Sequence, residues 1–175
     1  MRFTVRDHRP HDFNTLWKID QACFAPGIAY SRHELKAFMR HPAAFTLVAE
    51  AALRGGEIAN DDPSPSQDSI LGFLVAECGR RKVGHLNSGH IITIDVRSEA
   101  RRHRVGSALL EAAESRLLSA QCQQVQLETA VDNAAAISFY KRRGYNVTQT
   151  IPHYYSSGVD ALMLEKDLLL PVASG

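Results

Sequence analysis

Residues 94–110 read IDVRSEARRHRVGSALL. The segment opens on the end of a β-branched strand, HIITIDV (90–96), and closes inside an amphipathic helix expected from about 102 to 119. Arg101, Arg102, His103 and Arg104 stand between the two. A helix N-terminus already carries partial positive charge, so cations crowded there are disfavoured unless an anion sits among them. The first main-chain N–H groups of a helix lack intrahelical acceptors, and with the dipole they form a ready site for phosphate. Arginines at the rim would add charge-assisted bonds. A solvated basic turn capping a helix is the other reading the segment allows. No Walker lysine pattern and no G-x-G-x-x-G occur, which disfavours mononucleotide and dinucleotide folds.

The flanking chain alternates strands and helices. FTVR (3–6) reads as an opening strand, and Asp12 as the N-cap of a helix with Phe13, Leu16, Trp17 and Phe24 on one stripe. APG (25–27) breaks that helix. Ser31 followed by Glu34 is a capping box for a second, short helix that ends at His41-Pro42. FTLVAEAAL (45–53) and ILGFLVAEC (70–78) read as strands joined by RGGEIANDDPSPSQDS (54–69), a polar surface hairpin insertion. The helix after the basic turn carries Val105, Leu109, Ala112 and Leu117 on one face. QVQLETA (124–130) is a further strand; Asn133 then caps a helix, AAAISFYKRR, that stops at Gly144. YNVTQTIP and DALMLEKDL read as two closing strands. The order predicts one three-layer α/β (α+β) domain over residues 1–170, with a mixed, mostly antiparallel sheet of about seven strands, about four helices and a short tail at 171–175.

Composition agrees with one globular domain. The chain has 175 residues, 45% apolar and 22% charged, with a net charge of +1, so bulk charge does not suggest a nucleic-acid partner. Basic residues cluster instead, at Arg101, Arg102 and Arg104 and at Lys141, Arg142 and Arg143. Cys23, Cys78 and Cys122 are few, odd in number and far apart in sequence, which argues against a disulfide framework or zinc spacing and fits a cytoplasmic protein. No stretch is long or apolar enough to predict a signal peptide or a membrane span.

Taken with LETAVDNAAAISFYKRRGY (127–145), the segment 94–110 resembles the GCN5-related N-acetyltransferase (GNAT) superfamily, whose coenzyme loop reads R/Q-x-x-G-x-G/A. Arg101 takes the first place and Gly106 the last; Arg104 stands where the first glycine is usual. A non-glycine residue is accommodated there if the turn enters the helix without positive φ, and that is the expectation. The resemblance implies the GNAT fold and acetyl-CoA as co-substrate, with no metal. It implies that amides around Arg101, Arg102, His103, Arg104, Val105, Gly106 and Ser107 hold the diphosphate, that Ile94, Asp95 and Val96 run along the pantetheine, and that Asn133 bonds the coenzyme as well as capping its helix. It makes Tyr140 the acid that protonates the leaving sulfur and Glu128 the base, direct or through water; a core tyrosine and a solvated strand charge are the plain alternatives. Alternation in VQLET puts Gln126 and Glu128 on one face and Val125 and Leu127 on the other, so the first face must border the cleft if Glu128 is catalytic.

The tail IPHYYSSGVDALMLEKDL (151–168) is similar to protein N-terminal acetyltransferases, above all the ribosomal-protein-alanine N-acetyltransferase (RimI) type. Leu127, Glu128, Asn133, Ala136, Ile137 and Tyr140 match a second run of that type, from which Ala130 departs; separately, FAPGIAYSRHEL in the first helical hairpin has Ala-Tyr-Ser where the type has Pro-Trp-Ser/Thr. Tyr30, Tyr154 and Tyr155 are the implied peptide-site residues, beside Glu128. The expected reaction is acetyl transfer to the α-amine of a protein or peptide, a ribosomal protein among the candidates, with no nucleic acid or membrane involved. A lysine side chain or small-molecule amine is the alternative acceptor; few carboxylates beyond Glu128 and Asp160 are expected in the cleft to hold a polyamine. A non-catalytic acyl-CoA-binding module is the alternative from another class.

Overall fold

The computed structural model describes residues 1–52, 69–79 and 87–169. The expected hairpin insertion at 54–69 therefore lies, Ser69 apart, outside the described residues, as does the tail 171–175. Seven strands form one sheet: β1 (Phe3–Asp7), β2 (Ala44–Ala51), β3 (Ile70–Cys78), β4 (Ser88–Val96), β5 (Gln124–Ala130), β6 (Asn146–Ile151) and β7 (Ala161–Asp167), in the order β1-β2-β3-β4-β5-β7-β6. Every pair is antiparallel except β4 with β5. The helices are α1 (Phe13–Cys23), α2 (Arg32–Arg40), α3 (Val105–Ser119) and α4 (Ala134–Lys141).

Two apolar cores lie on opposite faces of the sheet. Leu16, Ile19 and Leu35 of α1 and α2 pack on Val48, Phe73 and Val75. On the other face Leu109, Leu110, Ala113 and Leu117 of α3, with Tyr140 of α4, pack on Leu47, Leu74, Ile91, Val125 and Leu127. The buried stripe of α3 is wider than the expected one, since Leu110 and Ala113 are fully buried while Ala112 only borders the core.

Local chemistry explains the element ends. Ser31 Oγ accepts from the Glu34 amide at 3.3 Å and Glu34 Oε2 accepts from the Ser31 amide at 2.8 Å, closing the capping box. Asp12 corrects its expected role: its backbone is already helical and its side chain does not cap α1. The carboxylate instead accepts from the Arg9 amide at 2.6 Å and from Arg6 Nη1 at 2.7 Å, and Arg6 continues to Glu50 at 2.8 Å. α3 starts at Val105 rather than near 102, because residues 101–104 form a turn. Cys78 and Cys122, read as distant, meet across the fold with their Sγ atoms 2.6 Å apart.

One irregularity in β4 positions the site. Val75 of β3 pairs with Thr93 while Ala76 pairs with Ile91, so Ile92 is an extra residue on β4. The alternation changes phase there. Ile91 faces the α3 core; past the bulge Ile94 and Val96 take that face. Asp95 is turned toward Asp20 and Cys23 of α1. Pairing of β4 with β5 runs only from Ser88–Gln124 to Ile91–Leu127, and beyond it the two strands part.

Candidate active site

A cavity of about 920 Å³ occupies the V where β4 and β5 separate. The basic turn, the start of α3, and α4 contribute to its wall. Ile94, Val96, Arg101, Arg102, Arg104, Val105, Gly106 and Ser107 line it together with Asn133 and Tyr140. Tyr30, His90 and Glu128 from the two strands, and Tyr154 and Tyr155 from the β6–β7 connection, line it as well. Every expected site residue but two therefore borders one cleft. His103 does not line it, and Asp95 is 1% exposed with its side chain behind β4, where the bulge has sent it. Asp160 is likewise absent from the wall, its carboxylate accepting from the His153 amide at 2.8 Å; Asp132 joins Glu128 as the second carboxylate there.

The basic turn is built for an anion. Arg102 and Arg104 have φ of +63° and +65°, in the left-handed region. The glycine-like conformation of the loop is thus kept without glycine, contrary to the expected ordinary entry into the helix, and it costs about 1–2 kcal/mol per residue. Among the described residues, the amides of 102–107 have no main-chain acceptor; the first α3 bond is from Ala108 to the Arg104 carbonyl at 3.0 Å. A row of free amides at a helix start, rimmed by Arg102 and Arg104, fits a diphosphate. Gly106 keeps the floor open. An added Cβ would lie 3.6 Å from Val96 Cγ2, 3.7 Å from Phe139 Cζ and 3.9 Å from Ile94 Cδ1.

The edge of β4 supplies a second set of main-chain groups. Tyr30 Oη donates to the Ile92 carbonyl at 3.3 Å, and Arg101 Nε donates to the Val96 carbonyl at 3.1 Å. By the two-residue repeat of a strand, the N–H and C=O of Ile94 face the same edge, between those two occupied positions. An extended amide-bearing chain can lie there, and pantetheine is such a chain.

Tyr140 and Glu128 both line the cavity. Tyr140 is 5% exposed, held edge-on between Phe139 and Tyr145. Burial, then the nearby Asp95 and Tyr155, push its phenol well above the usual tyrosine range, so it carries its proton. Asn133 accepts from the Ala136 amide at 3.1 Å and so caps α4 while bordering the cavity. Glu128 lines the cavity, but so does Leu127 from the opposite face of the alternation, and Gln126 does not, because β5 borders the cleft with its end as well as with one face. Glu128 Oε2 lies 2.7 Å from His90 Nε2. His90 has no motif around it, and its partner is 38 residues away in sequence, so strand pairing alone reveals it. Burial raises the phenols of Tyr30, Tyr154 and Tyr155 as well, leaving an aromatic wall of neutral phenols.

Comparison with known proteins agrees with this geometry. Residues 13–145 match the model of the acetyltransferase (GNAT) family. The chain is 38% identical over 101 residues to an uncharacterized N-acetyltransferase of Methanocaldococcus jannaschii, covering 54% of this chain and 65% of that one. It is 25% identical over 173 residues to an N-alpha-acetyltransferase of Saccharolobus solfataricus, covering 95% of this chain and 93% of the relative. Across several other curated relatives the match spans about half of their length. The crystal structure of Ard1 from Thermoplasma volcanium superposes with a TM-score of 0.78 at 26% identity, covering 97% and 100% of the two chains. The ribosomal-protein-S18-alanine N-acetyltransferase of Escherichia coli shares the fold, with a TM-score of 0.72 at 18% identity over 99% of each chain. With three quarters of its length matched by one family model, and with the parted strands, the amide-rich turn and the buried tyrosine in one cleft, the chain belongs to the acetyltransferase (GNAT) family.

Proposed function

We propose that this chain transfers the acetyl group of acetyl-CoA to the α-amine of a protein or peptide N-terminus. The carrying observation is that Glu128 and Tyr140 line one cleft together with the amide-rich turn and with Tyr30, Tyr154 and Tyr155. The N-alpha-acetyltransferases among its relatives support the same acceptor class. Acetyl-CoA, when bound, supplies the acetyl group as a thioester. The turn 102–107 holds the diphosphate, and the free edge of β4 at Ile94 orients the chain that carries the thioester. Glu128 takes a proton from the amine, directly or through water, and Tyr140 gives its phenolic proton to the departing sulfur.

The α-amine suits a modest base. It titrates near 8, so freeing its lone pair at neutral pH costs about 1 kcal/mol, against about 4–5 kcal/mol for a lysine. Within this class, Tyr154, Tyr155, Gly158 and Asp160 support an acceptor like that of the ribosomal-protein-alanine enzymes, an N-terminal alanine.

A peptide panel read by mass spectrometry tests the proposal. Peptides with a free α-amine and acetylated lysine should gain 42 Da, peptides with a blocked α-amine and free lysine should not, and alanine-first peptides should lead the series. The substitution Tyr140→Phe should lower turnover about 10²-fold or more while coenzyme affinity holds within about twofold. Acetylation of lysines alone rejects the acceptor class, and full turnover in Tyr140→Phe rejects the acid.

A further inference from the structure

Glu128 belongs to a row of side chains that crosses the sheet. His90 Nε2 lies 2.7 Å from Glu128 Oε2, and on the far side of the ring Nδ1 lies 3.8 Å from Glu77 Oε1. Glu77 Oε2 in turn lies 3.0 Å from Nδ1 of His41, at the exposed end of α2. Register places them there. Glu77 sits opposite His90 in the β3–β4 pair, and Glu128 follows the last residue of β5 that pairs with β4. Only His90 and Glu128 of the four border the cavity.

A neutral imidazole has one N–H, so one of its nitrogens would turn a lone pair toward a carboxylate. With a hydrogen-bonded carboxylate at Nε2 and a second carboxylate facing Nδ1 at 3.8 Å, the doubly protonated ring is the form that both negative charges favour. Burial works against that charge. The hydrogen bond and charge of Glu128, joined by the charge of Glu77, outweigh it and hold the ring above the ordinary histidine range. The other titratable groups nearby are few. Tyr154 and Tyr155 approach Glu128 from the β6–β7 connection, and Glu165 of β7 lies opposite Gln126, the residue paired with His90.

We propose that His90 is the positioning residue of this site: an imidazolium braced from behind by Glu77, it fixes Oε2 of Glu128 and leaves Oε1 for the incoming amine. The step remains a single transfer. The N–H bond of the ammonium breaks, an O–H bond forms on Glu128, and the imidazolium keeps both of its protons. This rests on the proposed transfer to an α-amine for its kinetic consequence, and on the three side chains alone for its electrostatic one.

Two measurements on the full chain test it. In the first, the His90 ring is followed by NMR against pH, its resonance identified by its loss in His90→Gln. It should titrate above about 6.5, and Glu77→Gln and Glu128→Gln should each pull it down by about half a pH unit or more. In the second, turnover is followed against pH. His90→Gln keeps a neutral donor toward Oε2, so it should retain turnover within about threefold at pH 8 and fall about tenfold or more below the native enzyme at pH 6. His90→Ala should lose activity at both. A ring titration that ignores both glutamate substitutions overturns the proposal, as does a His90→Gln profile parallel to the native one. If the native protein acetylates no peptide α-amine, the transfer reading fails and the ring titration alone decides the role of His90.

Discussion

Arg104 adopts a conformation that its residue type disfavours, with φ of +65° where it borders the cleft. Its guanidinium is exposed and its backbone shapes the amide row, so the two contributions can be separated. Arg104→Gly should stabilise the fold by about 0.5–1 kcal/mol, seen as a higher denaturation midpoint, because relief of the left-handed strain exceeds the entropy lost to glycine. Coenzyme affinity should fall by less than about tenfold, the worth of one exposed phosphate contact. A second residue-scale prediction concerns the buried pair behind β4. Burial, then the charge of Asp20, push the Asp95 carboxyl well up, and burial raises Asp20 to about 6; each leaves its Oδ1 without a partner. Folded-state values above the unfolded ones mean stability that is fully present below about pH 4 and is lost as pH rises through about 6 and beyond. Asp95→Asn should therefore gain in melting temperature relative to the native protein as pH goes from 5 to 8, by a few degrees; a difference independent of pH would refute the assignment. Neither Asp95 nor His90 was legible for what it is. Resemblance alone places Asp95 along the coenzyme, and the bulge at Ile92 settles that Ile94 and Val96 take the α3 face and Asp95 the other. His90 acquires its meaning from Glu77 and Glu128, which join it only once three strands are laid side by side.

At the scale of elements, local chemistry was legible wherever it is self-contained. The Ser31–Glu34 box, the Asn133 cap and Gly144, with φ of +88°, mark helix ends that the chain itself dictates. The start of α3 was not, since nothing in the propensities of Arg102 and Arg104 announces left-handed backbone. Cys78 and Cys122 are another case, neighbours through tertiary packing and strangers in sequence. The bulged strand β4 is the element on which the site depends, and Gly72 is where β3 accommodates it. Gly72 pairs with Val96, and a Cβ there would collide with the Asp95 carbonyl oxygen and lie 3.1 Å from Val96 Cα. Backbone cannot yield cheaply, so Gly72→Ala should cost about 1–3 kcal/mol of stability and loosen coenzyme binding together with it. An urea titration showing native stability for that variant would mean that β3 and β4 are not pressed together as described.

The whole molecule is a sheet held between two cores and opened at one seam. Leu16, Leu35 and Phe73 consolidate one face, Leu109, Leu117 and Leu127 the other, and the seam lies where the parallel β4–β5 pair runs out of hydrogen bonds. The order of elements, and hence the fold, was readable from the alternation of strand and helix patterns. The cleft was readable only through a resemblance, because its walls come from residues 23 to 155 and no local pattern joins them. The account depends most on the claim that free amides at 102–107 grip the diphosphate of the coenzyme. Calorimetric titration of the purified chain with acetyl-CoA and with S-acetylpantetheine, which lacks the nucleotide and diphosphate, tests that claim directly. Saturable binding of acetyl-CoA, weakened about 100-fold or more in the truncated thioester, is the predicted result. Equal affinity for the two, or no uptake of acetyl-CoA at millimolar concentration, would contradict it.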